Sequence, residues 1–258
     1  MKKLRFSFKR FRLEIYDKPG EWMKEEDLKV LQERVSAIAE KRIGRRPNFS
    51  FFNNTKYLQN KLIVICHDKT SSKDVTCCVM SYLGKYLKSN VIHLGAVYSN
   101  SEDKGLMKLI YVLGLIFAFM KNNPFRRLYV TSLTHTPKIF GVVNESFDNI
   151  YPNSSVDTKP SRLHHKLKEV FMRTYLKEWD FHEEPHIPDT FIIKGFRVQA
   201  DGSLLYPDTV HTVPKHRKQV YNERCFSMID YGRGDEILQT GLSKGLFSFV
   251  MKNASVFG

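Results

Sequence analysis

The chain is short of cysteine, short of acid, and has no hydrophobic run long enough to cross a bilayer. Four cysteines occur in 258 residues, Cys66, Cys77, Cys78 and Cys225. None forms a Cys-x-x-Cys pair, and no Cys/His spacing matches a standard zinc set, so no metal site is expected. His182, His186, His211 and His216 stand in loop-like segments, and the first two flank Glu183 and Glu184, but their spacing fits no ligand pattern either. Three of the cysteines lie in apolar, strand-like runs, where a free thiol behaves as a small hydrophobe. This usage points to a reduced, cytoplasmic setting. The longest apolar run, Leu109 to Met120, is bracketed by Lys108 and Lys121. Spanning a membrane takes about 20 apolar residues, so a core helix and no transmembrane segment is expected. Also missing are the Gly-x-Ser-x-Gly elbow, the His-Glu-x-x-His helix and the P-loop, which removes the motifs of three large hydrolase classes.

What is present in excess is positive charge. The 41 Lys+Arg against 27 Asp+Glu give +14. Such a balance implies acidic partners, whether nucleic acid, an anionic membrane face or a phosphate-rich cofactor; a generally lysine-rich proteome gives the same balance. Hydrophobic residues at 42% place the chain among ordinary globular proteins. Residues 1–24 form a basic, aromatic lead-in that alternates cations with apolar residues and lacks the apolar core and cleavage site of a signal peptide. It is expected to be a basic strand or surface segment. Aromatic residues interleaved with cations, here and at Lys215-His-Arg-Lys218, suit an anionic surface, but no nucleic-acid module is present.

Along the chain, Leu28, Leu31, Val35 and Ile38 predict an amphipathic helix from Glu26 to Arg42, closed by Gly44. Lys61–Cys66, Val75–Leu87 (with a break at Gly84) and Val91–Tyr98, joined by polar turns, predict an antiparallel meander. Gly105 then opens a helix from Leu106 to Met120, and Asn122-Asn-Pro124 ends it. A strand over Leu128–Leu133 follows, parallel to the Val91 strand across a right-handed crossover. Thr136-Pro137 caps the next helix, with Ile139, Val142, Val143 and Phe147 as its apolar stripe. A helix from Ser161 and a strand over Phe191–Val198 complete the pattern, while residues 201–224 read as irregular and Cys225–Phe249 carries weak signals.

The order strand, polar turn, glycine, helix, strand, helix between Val91 and Ile150 resembles the central part of the GNAT superfamily of acyl-CoA-dependent N-acyltransferases. The family's pyrophosphate turn has the form Gln/Arg-x-x-Gly-x-Gly/Ala; here it is Glu102-Asp-Lys-Gly-Leu-Met107. Gly105 matches, whereas Glu102 and Met107 depart from the pattern, and the acid would repel a phosphate. The resemblance runs from about Asp27 to Val198. It implies an α/β (α+β) fold with a mixed central sheet, an antiparallel meander, one parallel strand pair and helices on both faces. It divides the chain into the lead-in 1–24, a GNAT-like domain 25–200 and a C-terminal extension 201–258. It implies acetyl-CoA or another acyl-CoA as co-substrate, with pantetheine along Val97 and Tyr98 and pyrophosphate against Lys104, Gly105 and Leu106. The reaction would be direct attack of an amine acceptor on the thioester.

Three residues are candidates for proton transfer: His93 within a strand, His135 at a strand's C-terminal end, and Tyr151, where the family's tyrosine acid sometimes sits. For each a structural role is open beside the catalytic one: a hydrogen-bonded core histidine, or a Tyr-Pro turn. His164-His165 lies on a helix, where adjacent side chains diverge and cannot chelate one metal. The alternative to an acyltransferase is a non-catalytic basic binding module on the same fold, contacting nucleic acid or an acidic partner.

Overall fold

The computed structural model describes residues 2–47, 50–103, 105–176, 190–198 and 202–254. In chain order the elements are β1 (Lys3–Phe8), β2 (Phe11–Asp17), α1 (Glu25–Ile43), α2 (Ser50–Asn53), β3 (Lys61–Asp68), β4 (Lys73–Tyr86), β5 (Ser89–Leu94), β6 (Val97–Ser99), α3 (Leu106–Asn122), β7 (Leu128–Thr134), α4 (Pro137–Ser146), β8 (Asp148–Tyr151), α5 (Arg162–Thr174), β9 (Ile192–Ile193), α6 (Gln219–Met228), β10 (Glu236–Ser243) and α7 (Leu246–Lys252). The sheet structure is mixed, with one parallel pair among antiparallel neighbours and helices around it. No helix among the described residues is long and apolar enough to cross a membrane.

Two compact units form. The first, Met1–Leu83, Leu94–Pro124 and Asn253–Gly258, carries the order β1-β2-β3-β4, with β6 paired to β4. All of these pairs are antiparallel. The basic lead-in is thus a hairpin whose β2 is almost wholly buried. α1 follows the expected spacing, burying Leu28, Leu31, Val35 and Ile38, and Gly44 ends it in the left-handed conformation. α3 buries Leu109, Ile110, Leu115, Phe117 and Phe119. Each such side chain contributes about 1.5–3 kcal/mol.

Two corrections concern strands here. β4 runs through Gly84 without a break, because that glycine adopts φ 112° and keeps the strand going. The Val91–Tyr98 run, by contrast, is two strands, split at Gly95-Ala96. Val79 N–H donates to Ala96 O, and a Cβ on Gly95 would lie 2.2 Å from Val79 O. Only a glycine lets β4 approach so closely at the kink.

The second unit, Gly84–His93 and Phe125–Lys252, carries the order β5-β7-β10-β8, with β9 also on β10. β10, drawn from the segment read as a C-terminal extension, is hydrogen-bonded between β7 and β8 with every residue buried. The strand expected over Phe191–Val198 shrinks to Ile192–Ile193. Phe191 (φ 60°) and Gly195 (φ 66°) turn the backbone, and Gly195 N–H donates to the Asp235 carboxylate. On α4 the buried face is Phe140, Val143 and, just beyond the helix, Phe147; Ile139 and Val142 are half-exposed. Thr136 occupies the cap position without a side-chain capping bond; Thr134 Oγ1 accepts from its N–H instead. Residues 219–228, within the segments read as irregular and weak, form α6, which packs with Phe140, Val213 and Ile237.

Candidate functional site

The residues assigned to a cofactor fall in the first unit. Ala96 O and Asn100 N bond to β4, and Tyr98 stands opposite Cys77. Along an antiparallel ladder the backbone groups alternate in direction. Tyr98 therefore turns its backbone toward β4, and Val97 and Ser99 turn theirs the opposite way. A ligand lying along β6 would meet the N–H of Val97 and Ser99. The Tyr98 side chain is buried, its ring 6.3 Å from that of Phe52.

The turn after β6 is tied by its own side chains. Ser99 Oγ accepts from Ser101 N–H, and Ser101 Oγ donates to Asp103 at 2.7 Å. Gly105 holds φ 89° as the residue before α3, and a Cβ there would meet nothing within 4 Å. Glycine is demanded by the left-handed backbone, not by crowding. Leu106 is buried below the helix start, so its backbone rather than its side chain is what a ligand could touch. Lys104 lies outside the described residues. Glu102 is exposed, while Asp103 is neutralised by Arg10 of the β1–β2 turn at 2.6 Å. Sequence gave no hint of that cation, which arrives from 93 residues away.

The three proton-transfer candidates fall in the second unit, in three separate surroundings. His93 is buried between the rings of Phe171 and Tyr175, with Nδ1 3.0 Å from Thr131 Oγ1. His135 is buried with both nitrogens engaged: Nε2 is 3.0 Å from Asp208 Oδ2 and Nδ1 3.1 Å from Glu236 Oε1. Burial opposes its charge, but the hydrogen bonds to Asp208 and Glu236 win and raise its pKa. With a carboxylate at each ring nitrogen, neither nitrogen is open to a further partner. Tyr231 O–H caps the same residue's carbonyl at 2.6 Å.

Tyr151 ends β8 before a cis bond to Pro152, its ring against those of His164 and Phe191. Its hydroxyl has no hydrogen-bond partner among the described residues. Burial, opposed by Arg224, raises its pKa, so it stays a protonated phenol at neutral pH. Adjacent His164 and His165 diverge as expected: the first caps α5 through Ser161 and bonds Asn149 O, the second meets Phe191. Among the described residues no group of His, Cys, Asp or Glu could hold a metal. His182, His186, Glu183 and Glu184 lie outside them. All four thiols are buried and pushed up by that burial, Cys66 to about 12, which disfavours thiolate chemistry.

No family model matches the chain, and no curated protein matches it. Among solved structures, ribosomal-protein-S5-alanine acetyltransferase from Vibrio fischeri is similar at 12% identity and TM-score 0.38, over 93% of this chain and 97% of that one. Aminoglycoside N-acetyltransferase AAC(6')-Iy, in complex with CoA, is similar at 10% identity and TM-score 0.34, over 69% of this chain and 91% of that one. A possible acetyltransferase from Clostridium difficile 630 shares 16% identity at TM-score 0.26, over 43% of this chain and 70% of that one.

Proposed function

We propose that this chain is a GNAT-like acyltransferase that moves an acyl group from acyl-CoA to an amine. The observation that carries the proposal is the sequence β6, tied turn, left-handed Gly105, α3, all within one unit, with Val97 and Ser99 turning their backbone away from β4. Pantetheine would lie along that edge. The pyrophosphate would rest against Gly105 and the first turn of α3, where N–H groups lack helical partners and the dipole favours an anion. Lys104 would add charge there.

In the reaction the amine nitrogen attacks the thioester carbon, and Val97 N–H donates to the oxygen that becomes an oxyanion. The C–S bond breaks, the thiolate takes a proton from water, and the amine gives its proton up to water. In this reading His135, with both ring nitrogens engaged, and His93, stacked on aromatic rings, are structural residues of the second unit. The basic binding module remains the second reading, favoured by one specific observation: Glu102 places an exposed acid just before the helix start.

Calorimetric titration with acetyl-CoA separates the two. Gly105→Asp should weaken binding by about tenfold or more, because it adds charge and a strained φ. Glu102→Gln should tighten it by a few-fold, as roughly expected for one exposed charge near a helix end. If millimolar acetyl-CoA does not bind and Glu102→Gln does not rescue it, the acyltransferase reading fails. A nucleic-acid affinity that falls steeply with salt would then support the binding module.

A further inference from the structure

The basic lead-in is not absorbed by any acyl-transfer chemistry. It forms β1, the outer strand of the first unit, and among the described residues β2 is the strand paired with it. Asp17 N–H donates to Lys2 O at 2.9 Å, and the register runs from Lys3 opposite Tyr16 to Phe8 opposite Phe11. Alternation along the ladder then aims the backbone of Leu4, Phe6 and Phe8 at β2. The N–H and C=O groups of Lys3, Arg5 and Ser7 face outward, along an edge that no other strand among the described residues covers.

The two faces of that edge differ in chemistry. Lys3 and Arg5 share one face with Glu14 and Arg12 of β2. Glu14 is the acid of that face, and it already accepts from Arg5 at 2.6 Å and Arg34 at 2.9 Å, with Arg12 at 3.7 Å. Among the described residues Lys3 has the Tyr16 ring, 4.4 Å away, and no acid. Positive charge is left over. On the opposite face Leu4 and Phe6 are half-buried and Phe8 is 43% exposed.

We propose that the β1 edge binds an extended acidic segment of another protein by strand addition. Acidic side chains at every second position would meet Lys3 and Arg5. The intervening apolar side chains would extend the row of Leu4, Phe6 and Phe8. Outward N–H and C=O groups supply the affinity of such a pairing and the alternate side chains its selectivity. A second copy of this chain is disfavoured, since antiparallel pairing of two β1 edges sets cations against cations, which lysine-bearing edges use to prevent self-association. Nucleic acid would use the charge and ignore the backbone ladder.

The test uses the full chain and a seven-residue peptide of alternating Glu and Val, blocked at both ends. Its N-methylated twin keeps every charge and side chain but loses the amide donors of one edge. The unmodified peptide should bind, and in hydrogen exchange it should slow the amides of Lys3, Arg5 and Ser7. N-methylation should weaken binding by about tenfold, the loss of two or three backbone hydrogen bonds. Ser7→Pro removes one outward donor where an edge strand tolerates proline, and Arg5→Glu reverses the charge; both should weaken binding. Absence of binding would overturn the proposal. So would equal affinity for the N-methylated peptide, or an oligothymidylate that competes with the peptide and leaves those amides unprotected. Self-association through β1 would overturn it as well.

Discussion

Two buried ion networks, one in each unit, are built with opposite polarity. In the first, the Glu14 carboxylate is 1% exposed and meets Arg5, Arg12 and Arg34, with the Tyr16 hydroxyl donating to it at 2.7 Å and Asp74 holding the far side of Arg34. Burial opposes its charge, but Tyr16 and the arginines win and hold its pKa down at about 2. In the second, the His135 ring sits between two carboxylates, Asp208 and Glu236, which favour its charged form. The difference is one of titration range. Guanidinium stays charged at every pH a protein survives, so the first network can fail only in acid. Imidazolium does not, so the second fails in alkali as well.

The largest expected effect breaks the first network. Glu14→Ala takes the carboxylate from Arg5 and from the buried Tyr16 hydroxyl and leaves Arg34 to Asp74 alone; it should cost about 4 kcal/mol at pH 7, as removal of one partner from a buried pair does. Glu14 has its pKa lowered from 4.5, so its contribution is fully present above that value and disappears as pH falls toward about 2. Denaturant titrations of Glu14→Gln and the parent should therefore converge over that interval. A constant difference down to pH 2 would show that lost packing, not charge, is responsible.

Next is His135→Ala, expected to cost about 3 kcal/mol at pH 6 by leaving two carboxylates without their shared proton donor. The sign is opposite. A histidine whose folded pKa is raised contributes fully below its unfolded value, near 6.5, and loses the contribution as pH rises through the folded value. His135→Gln and the parent should converge as the pH becomes alkaline. Divergence there would reverse the assignment of an imidazolium.

The two networks also differ in what sequence reveals. Glu14 and Arg12 lie two apart on a strand of visible alternation, and α1, which carries Arg34, follows from Leu28, Leu31, Val35 and Ile38 alone. β7, α3 and the Gly105 start were legible for the same reason: apolar periodicity and punctuation by glycine and proline. The second network was not legible. Glu236 and Asp208 lie 101 and 73 residues from His135. β10 reads Glu236-Ile-Leu-Gln-Thr-Gly-Leu-Ser243, too polar for a fully buried strand until its partners are seen. Glu236 is taken up by His135, and Gln239 donates to Phe140 O and Pro152 O. Phe191–Val198 misled in the opposite sense, since an apolar run with β-branched residues conceals the turn at Gly195 and the buried Arg197. At the candidate site the left-handed glycine and the strand before it could be named from the sequence. The kink at Gly95 and the Arg10–Asp103 pair could not, because both depend on which strand lies alongside.

The smallest effect separates the two carboxylates that hold His135. Asp208 keeps 31% of its side chain exposed against 9% for Glu236. Water therefore screens the Asp208 pair, and Asp208→Asn should cost only about 1 kcal/mol, within the range of partly exposed ion pairs. Asp208 itself has its pKa lowered, chiefly by the hydrogen bond from His135, so that share is present above its unfolded value and lost in acid. The asparagine can still accept from Nε2–H through its amide oxygen, so the ring should stay in place while its charge loses one supporting anion. An NMR titration of the His135 ring should then show its pKa moving down in Asp208→Asn and further down in Glu236→Gln, the drier partner. If Asp208→Asn moves it as far as Glu236→Gln does, exposure does not rank the two partners, and the screening explanation of their difference is wrong.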